Sequence, residues 1–185
     1  MKSLILPCLR LLLVTQVICV AGYLGIMLFF AQVIAPDTAT ASILTDSQGQ
    51  PIGSRLVAQG FTRSDYFWPR PSAVDYNGAG AGGSNKTPTS PDLTKRASEI
   101  IARHGASAGH PLPPDLAAAS GSGLDPFISE AAARFQLPRV AAARGIAPAA
   151  LEQLLQEAST VPGGFLTGTR IVNVLELNLA LDALK

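Results

Sequence analysis

From Leu11 to Pro36 the chain carries no charged residue. Of the 25 residues Leu11–Ala35, 20 are hydrophobic, and Thr15, Gln16 and Gln32 supply the plainly polar side chains. As a helix rising 1.5 Å per residue this run is about 37 Å long, enough to cross a hydrocarbon layer of about 30 Å. A cleaved export signal would have an apolar region of about 7–15 residues ending at a small-residue site. Here the run is longer, and its end, Val33-Ile34-Ala35, is followed by proline. The segment is therefore expected to be a retained anchor. Pro36 should stop the helix, because the residue before a proline disfavours the helical region.

The flanking charges set an expected orientation. Lys2 and Arg10 precede the run, while Asp37 and Asp46 follow it, with no positive charge before Arg55. Cytoplasmic flanks are enriched in Lys and Arg. The expectation is a cytoplasmic N-terminus over 1–10, a transmembrane helix over 11–35 and an extracytoplasmic domain over 37–185. The overall net charge of +1, from 14 Lys+Arg and 13 Asp+Glu, hides this asymmetry, because all 13 acids lie beyond the run. The same near-neutral balance argues against a nucleic-acid partner, which needs clustered basic residues. Cys8 and Cys19 both fall at or within the apolar segment, so the domain that follows is free of cysteine. Within the run, Ala21 and Gly25 form a small-xxx-small pair that lets a neighbouring helix approach closely.

The remaining residues suffice for one compact domain. A hairpin is expected to open it, with Ala41–Leu44 and Ser54–Gln59 as its strands. Asn77 to Pro91 is rich in Gly, Ser, Thr and Pro and reads as a long irregular loop. Ser90, Pro91 and Asp92 suit a helix start, Leu93, Ala97, Ile100 and Ile101 form its apolar stripe, and Gly105 suits its end. A single turn is expected near Asp115–Ala119. Ser129 should cap a helix to Gln136, a second short helix should run from Pro138 to Arg144, and Pro148 should start a third. Arg170–Leu177 alternates in part and reads as a strand, with Asn178 capping a final turn. Short strands and helices without regular alternation indicate an α+β fold: one N-terminal transmembrane helix, then a small extracytoplasmic domain with a short antiparallel sheet and several helices.

Motifs with chemical potential are few. Gly78-x-Gly80-x-x-Gly83 has the spacing of a dinucleotide fingerprint but lacks the strand before it and the helix opening on it. Ser120-Gly121-Ser122-Gly123 is not a nucleophile elbow, which needs G-x-S-x-G at a strand-to-helix turn. No pair of carboxylates stands out for acid–base work, and no catalytic, cofactor or metal residue is assigned. Asn85-Lys86-Thr87 fits a glycosylation triplet, which matters only in a eukaryotic secretory route. Tyr66-Phe67-Trp68-Pro69-Arg70-Pro71 is more informative. It reads either as a core plug beside a proline turn or as a partner surface, because aromatics and Arg are enriched at interface hot spots.

Several segments taken in order resemble a known family. After the apolar run come Ile52-Gly53-Ser54, Gln59-Gly60-Phe61 and Tyr66-Phe67-Trp68-Pro69-Arg70-Pro71-Ser72-Ala73. Gly82-Gly83-Ser84-Asn85 and Ala119-Ser120-Gly121-Ser122-Gly123-Leu124-Asp125-Pro126 follow. The chain closes with Gln136-Leu137-Pro138-Arg139-Val140-Ala141 and Val172 to Asp182. Together they resemble the KdpC family, which are subunits of potassium-transporting P-type ATPases. Departures are Ala58, where the family usually has glycine, and Gly168-Thr169-Arg170, where a Gly-x-Pro lead-in is common.

The resemblance implies an accessory, non-catalytic subunit in the bacterial inner membrane. Its partners would be a channel-like potassium-binding subunit, a P-type ATP-hydrolysing subunit and a very small membrane subunit. It also implies a proposed role as a catalytic chaperone that raises the ATP affinity of the hydrolysing subunit. No phosphate-cradling loop is visible in this sequence, so ATP is expected to be reached only through that subunit, with no cofactor bound directly. Partner-contact candidates are Ala21, Gly25, Gln59, Phe61, Tyr66, Phe67, Trp68, Arg70, Pro71, Ser72, Gly83, Ser84, Asn85, Ser120, Gly121, Ser122, Gly123, Leu124, Asp125 and Arg139. Two readings compete: an anchored exported hydrolase using Ser120 or Ser122, and a stand-alone anchored binding module.

Overall fold

A computed structural model describes residues 2–46 and 48–184, with Lys2, Ser3 and Phe165 described by their backbone. Met1 and Lys185, the outer ends of the expected 1–10 and 37–185 segments, lie outside the described residues. The chain divides into two compact units, residues 1–43 and 44–185.

The first unit is dominated by one helical run. Helix α1 (Lys2–Gln16) passes through a π-helical stretch, Val17–Gly22, into α2 (Tyr23–Ile34). The apolar helix from Leu4 to Ile34 has 31 residues, none of its most apolar stretch buried by the rest of the chain. At 1.5 Å per residue it is about 46 Å long, more than the hydrocarbon thickness. It ends where expected. Ala35, the pre-proline residue, sits at φ −142°, ψ 65°, and a short helix α3 (Pro36–Ala39) follows.

The second unit begins within a hairpin of β1 (Ile43–Thr45) and β2 (Pro51–Ser54). Both strands differ from the expected ranges. The Asp46 carboxylate accepts from the Gln48 and Gln50 N–H groups at 2.8 Å each and sets the turn. Beyond Ser54, whose hydroxyl accepts from the Leu56 N–H, the chain leaves the ladder, and Ala58 N–H pairs with the Leu124 carbonyl instead. Helix α4 (Pro91–His104) matches expectation and ends at Gly105 with φ 64°, the left-handed conformation glycine adopts freely. Ser90 precedes it in extended geometry but makes no side-chain capping bond. Helix α5 (Pro114–Ala117) is the expected single turn.

The core lies between α6 (Glu130–Arg144), α7 (Pro148–Ala158) and α8 (Val174–Ala183), closed by a sheet of β3 (Phe127–Ser129) and β4 (Ile171–Asn173). These strands are antiparallel, with Phe127 opposite Asn173 and Ile128 opposite Val172. The Ser129 hydroxyl caps α6 by accepting from Ala132 N–H at 3.0 Å. Pro138 does not split the helix as its sequence position predicts. A mid-helix proline costs about 3 kcal/mol. Ala132, Ala133, Gln136, Leu137, Val140 and Ala141, on both sides of it, are buried, and a fully buried aliphatic side chain contributes about 1.5–3 kcal/mol. Several such groups outweigh the one lost bond and the ring clash.

The expected strand over Arg170–Leu177 is strand only at Ile171–Asn173. From Val174 the chain is helical, capped by the Asn173 carboxamide oxygen accepting from Glu176 N–H. Val174, Leu177, Asn178 and Leu181 form its buried face, a helical spacing that the partial alternation masked. Asn178 is therefore an interior helix residue and not a cap.

Candidate functional site: a clasped aromatic segment

The family-like segments, scattered along the chain, converge on Tyr66–Ser72. This strip has no helix or strand ladder of its own, so its backbone polar groups need other partners. Two side-chain amides supply them. Asn178, from α8, accepts from Phe67 N–H at 2.8 Å and donates to the Phe67 carbonyl at 3.0 Å. Gln136, from α6, accepts from Trp68 N–H at 2.8 Å and donates to the Trp68 carbonyl at 3.0 Å. Each amide thus bonds both backbone groups of one residue, as a neighbouring strand would. Both are about 2% exposed, and Phe67 is fully buried.

Three arginines tie the strip down from outside. Arg139 donates to the Tyr66 carbonyl at 2.9 Å, to the Ser64 carbonyl, and to Gln136 Oε1 at 2.7 Å. Arg144 donates to the Asp65 carbonyl and to Asp182, which also accepts from the Tyr66 hydroxyl. The Arg103 and Arg139 guanidinium carbons lie 4.2 and 3.8 Å from the Trp68 ring centre, and the indole N–H donates to the Arg63 carbonyl. A cation over an indole face is attracted by the ring quadrupole. His104 meets Trp68 edge to face at 5.1 Å. Burial, then the charges of Arg139 and Arg103, push its pKa down to about 4. Burial and the neighbouring Arg103 lower Arg139 to about 10. His104 is accordingly neutral at pH 7.

The downstream half of the strip is fastened to two glycine loops. Arg70 pairs with Asp125 at 3.0 Å, and the Pro71 carbonyl accepts from Ser120 N–H at 3.1 Å. The Ser72 hydroxyl accepts from Val74 and Tyr76 N–H, and the Tyr76 hydroxyl donates to the Arg70 carbonyl. Gly82 N–H donates to the Ser122 carbonyl at 2.7 Å. A Cβ on Gly83 would stand 2.9 Å from the Gly121 carbonyl oxygen. Gly123 sits at φ +70°, and a Cβ there would stand 2.5 Å from Val74 and 2.8 Å from the Gly82 carbonyl oxygen. Gln59 donates to the Ile52 carbonyl, and Phe61 packs on the Tyr66 ring at 5.5 Å.

The candidates thus separate. Phe67 and Trp68, at 0% and 8% exposure, fill the domain's own core, so the first of the two readings of this strip describes its fold. Ser120 and Gly123 are also buried, while Gln59, Phe61, Tyr66, Arg70, Pro71, Ser72, Gly83, Ser84, Leu124, Asp125 and Arg139 are half-buried. Asn85, Gly121 and Ser122 are exposed. A groove of ≈540 Å³ is lined in part by Leu56, Val57, Gly121, Ser122 and Phe127. Ala21 and Gly25 are exposed on the apolar helix of the other unit. Asn178, expected only as a cap, and Asn173 and Arg144 were not among the contact candidates. For Asn178 the available signal was a single amide at helical spacing from Val174, Leu177 and Leu181 in an apolar stretch.

Hydrolase geometry is not formed. The Ser120 and Ser122 hydroxyls face one another at 3.4 Å, whereas His104 meets Trp68 edge to face and His110 stacks on Phe135. Gly78–Gly83 lies in irregular chain eight residues before α4, so it opens no helix. Among the described residues, no group of three or more His, Cys, Asp and Glu side chains could hold a metal ion.

Among the described residues one helix is long and apolar enough to cross a membrane, and an α+β domain held around an internally clasped aromatic strip follows it, a make-up that fits a membrane-anchored subunit. The family profile described as KdpC, K+-transporting ATPase, c chain, matches residues 5–183. A potassium-transporting ATPase KdpC subunit of Parvibaculum lavamentivorans is 58% identical over 173 residues, covering 94% of this chain and 92% of the relative. Those of Geobacter metallireducens and Cereibacter sphaeroides are each 44% identical and cover 96% of this chain. The chain belongs to the KdpC family, potassium-transport subunits of the Kdp ATPase.

Proposed function

We propose that this chain is a non-catalytic accessory subunit that assembles and stabilises an ATP-driven potassium uptake complex in the bacterial inner membrane. The reading rests above all on the family match, which runs the length of the chain through the anchor and the clasped domain. In this reading the N-terminus is cytoplasmic and residues 37–185 face outward, as the charge asymmetry favours. The partners are a channel-like potassium-binding subunit, a P-type ATP-hydrolysing subunit and a very small membrane subunit. ATP belongs to the hydrolysing subunit, and any rise in its affinity is transmitted through contacts between the proteins and not by a nucleotide site on this chain. With Phe67 and Trp68 committed to the core, the docking face is the rim that the clasp presents: Asn85, Gly121, Ser122 and the half-buried Arg70 and Asp125.

The test is co-purification from membranes in which all subunits are expressed. The full chain should bring down the channel-like and ATP-hydrolysing subunits, and a chain lacking residues 1–36 but still exported should lose them. Equal recovery would show that the anchor does not hold the complex.

A further inference from the structure

Of the chain's four asparagines, Asn77 is the one followed by glycine. Asparagine is a chemically labile residue. The backbone nitrogen of the next residue can attack the side-chain carboxamide carbon and close a five-membered imide. A side chain on that next residue crowds the approach, and glycine has none. Asn173 and Asn178 are 4% and 2% exposed and are followed by Val174 and Leu179. Asn85 is exposed but is followed by Lys86.

The fold presents Asn77 for this attack. Asp75 and Tyr76, at φ 50° and 57°, form a turn that the Asn77 N–H closes on the Val74 carbonyl at 2.9 Å. The Tyr76 hydroxyl, donating to the Arg70 carbonyl, ties that turn to the clasped strip. From Asn77 to α4 the chain has no helix or strand, and Asn77, Gly78, Ala79 and Gly80 are exposed. The Asn77 carboxamide oxygen accepts from the Ala79 N–H at 3.0 Å. The side chain is therefore folded back across the Gly78 peptide, which keeps the two reacting groups together. Among the described residues the Gly78 N–H and the Asn77 amide nitrogen donate to no acceptor. Nucleophile and leaving group are thus both unencumbered. The Ala79 N–H is placed to stabilise the negative charge that develops on the carboxamide oxygen during attack.

We infer that Asn77 is a site of spontaneous deamidation through a cyclic imide with Gly78. Hydroxide takes the Gly78 amide proton, and the Gly78 nitrogen bonds to Asn77 Cγ. The Cγ–Nδ2 bond breaks, and Nδ2 leaves as ammonia with a proton from water. Water then opens one of the two imide C–N bonds. The product is aspartate or, with the main chain rerouted through the side chain, isoaspartate. Either product adds a carboxylate two residues from Asp75 and lowers the net charge of +1 by one. Isoaspartate also inserts a methylene into the main chain of the loop that Gly82 N–H fastens to the Ser122 carbonyl at 2.7 Å. The loop therefore ages chemically, and the reaction needs no partner subunit.

The test incubates the detergent-solubilised full chain at pH 7 and pH 8, beside a sample unfolded in urea. Digestion and tandem mass spectrometry then locate each amide-to-acid change. Asn77 should convert in the folded chain at a rate within about tenfold of the unfolded chain, as an exposed loop with little opening cost allows. The rate should rise in proportion to hydroxide, and Asn85 should lag well behind. A Cβ on Gly78 would meet nothing within 4 Å, so Gly78→Ala should leave Trp68 fluorescence unchanged. That variant should slow conversion at least about fivefold, because the added methyl crowds the attacking nitrogen. Conversion of folded Asn77 more than about tenfold slower than in urea would overturn the inference. So would conversion of Asn85 as fast as Asn77, or an undiminished rate in Gly78→Ala.

Discussion

Asn178 is the most revealing residue to change, because the clasp account makes it structural in a way its sequence position does not suggest. Replacing it by alanine removes the 2.8 Å and 3.0 Å bonds to Phe67 and leaves a buried N–H and a buried carbonyl without partners. Each buried group left unsatisfied costs about 1–3 kcal/mol. The expected loss is therefore about 2–6 kcal/mol, a large share of the roughly 5–15 kcal/mol that holds an ordinary domain together. The chain's one tryptophan, Trp68, sits on the next residue and is 8% exposed, so its fluorescence reports on the clasp directly. Urea unfolding of the detergent-solubilised full chain, followed by this fluorescence and by circular dichroism, measures the loss. Gln136→Ala should behave alike. The two changes together should cost less than their sum, because adjacent residues of one strip are released. A loss under about 0.5 kcal/mol for Asn178→Ala would refute the idea that the amides replace a strand ladder.

Other predictions use the same assay. His104 is held neutral in the fold, its pKa lowered from 6.5 to about 4, so the unfolded chain binds the extra proton first. Stability should fall as pH drops from about 6.5 toward about 4 and change no further from this group below that, and His104→Gln should flatten this window. Gly123→Ala should cost more than about 1 kcal/mol, since it adds a Cβ at φ +70° against Val74 and the Gly82 carbonyl, whereas Gly121→Ala, with open space at its Cβ, should stay within about 0.5 kcal/mol. Pro138→Ala should stabilise the protein by about 1–3 kcal/mol, read as a higher urea midpoint, because it restores a bond within a helix already held by its packing.

Much of the architecture was legible in sequence, and the reasons are local. The uncharged run reads as one long apolar helix, Pro36 stops it, and Gly105 and Gly145 mark helix ends where a positive φ is needed. Pro138 and Arg170–Leu177 misled because tertiary burial overrode local preference: a proline survives in a helix packed on both sides, and a branched, alternating stretch becomes a helix once Asn173 caps it. The clasp was only half visible. Tyr66–Pro71 stands out as an aromatic cluster, but its partners lie up to 116 residues away, and no local rule links Phe67 to Asn178. The π-helical stretch was not visible at all, because no side chain in Val17–Gly22 signals it.

The central claim is that this chain serves a potassium pump without doing the chemistry itself. ATP hydrolysis by the complex purified from cells with and without this chain tests it most directly. The account predicts that the complex lacking the chain loses potassium-stimulated hydrolysis, that restoring the full chain recovers it, and that the chain alone hydrolyses nothing. Undiminished potassium-stimulated hydrolysis without the chain, or hydrolysis by the chain alone, would contradict it.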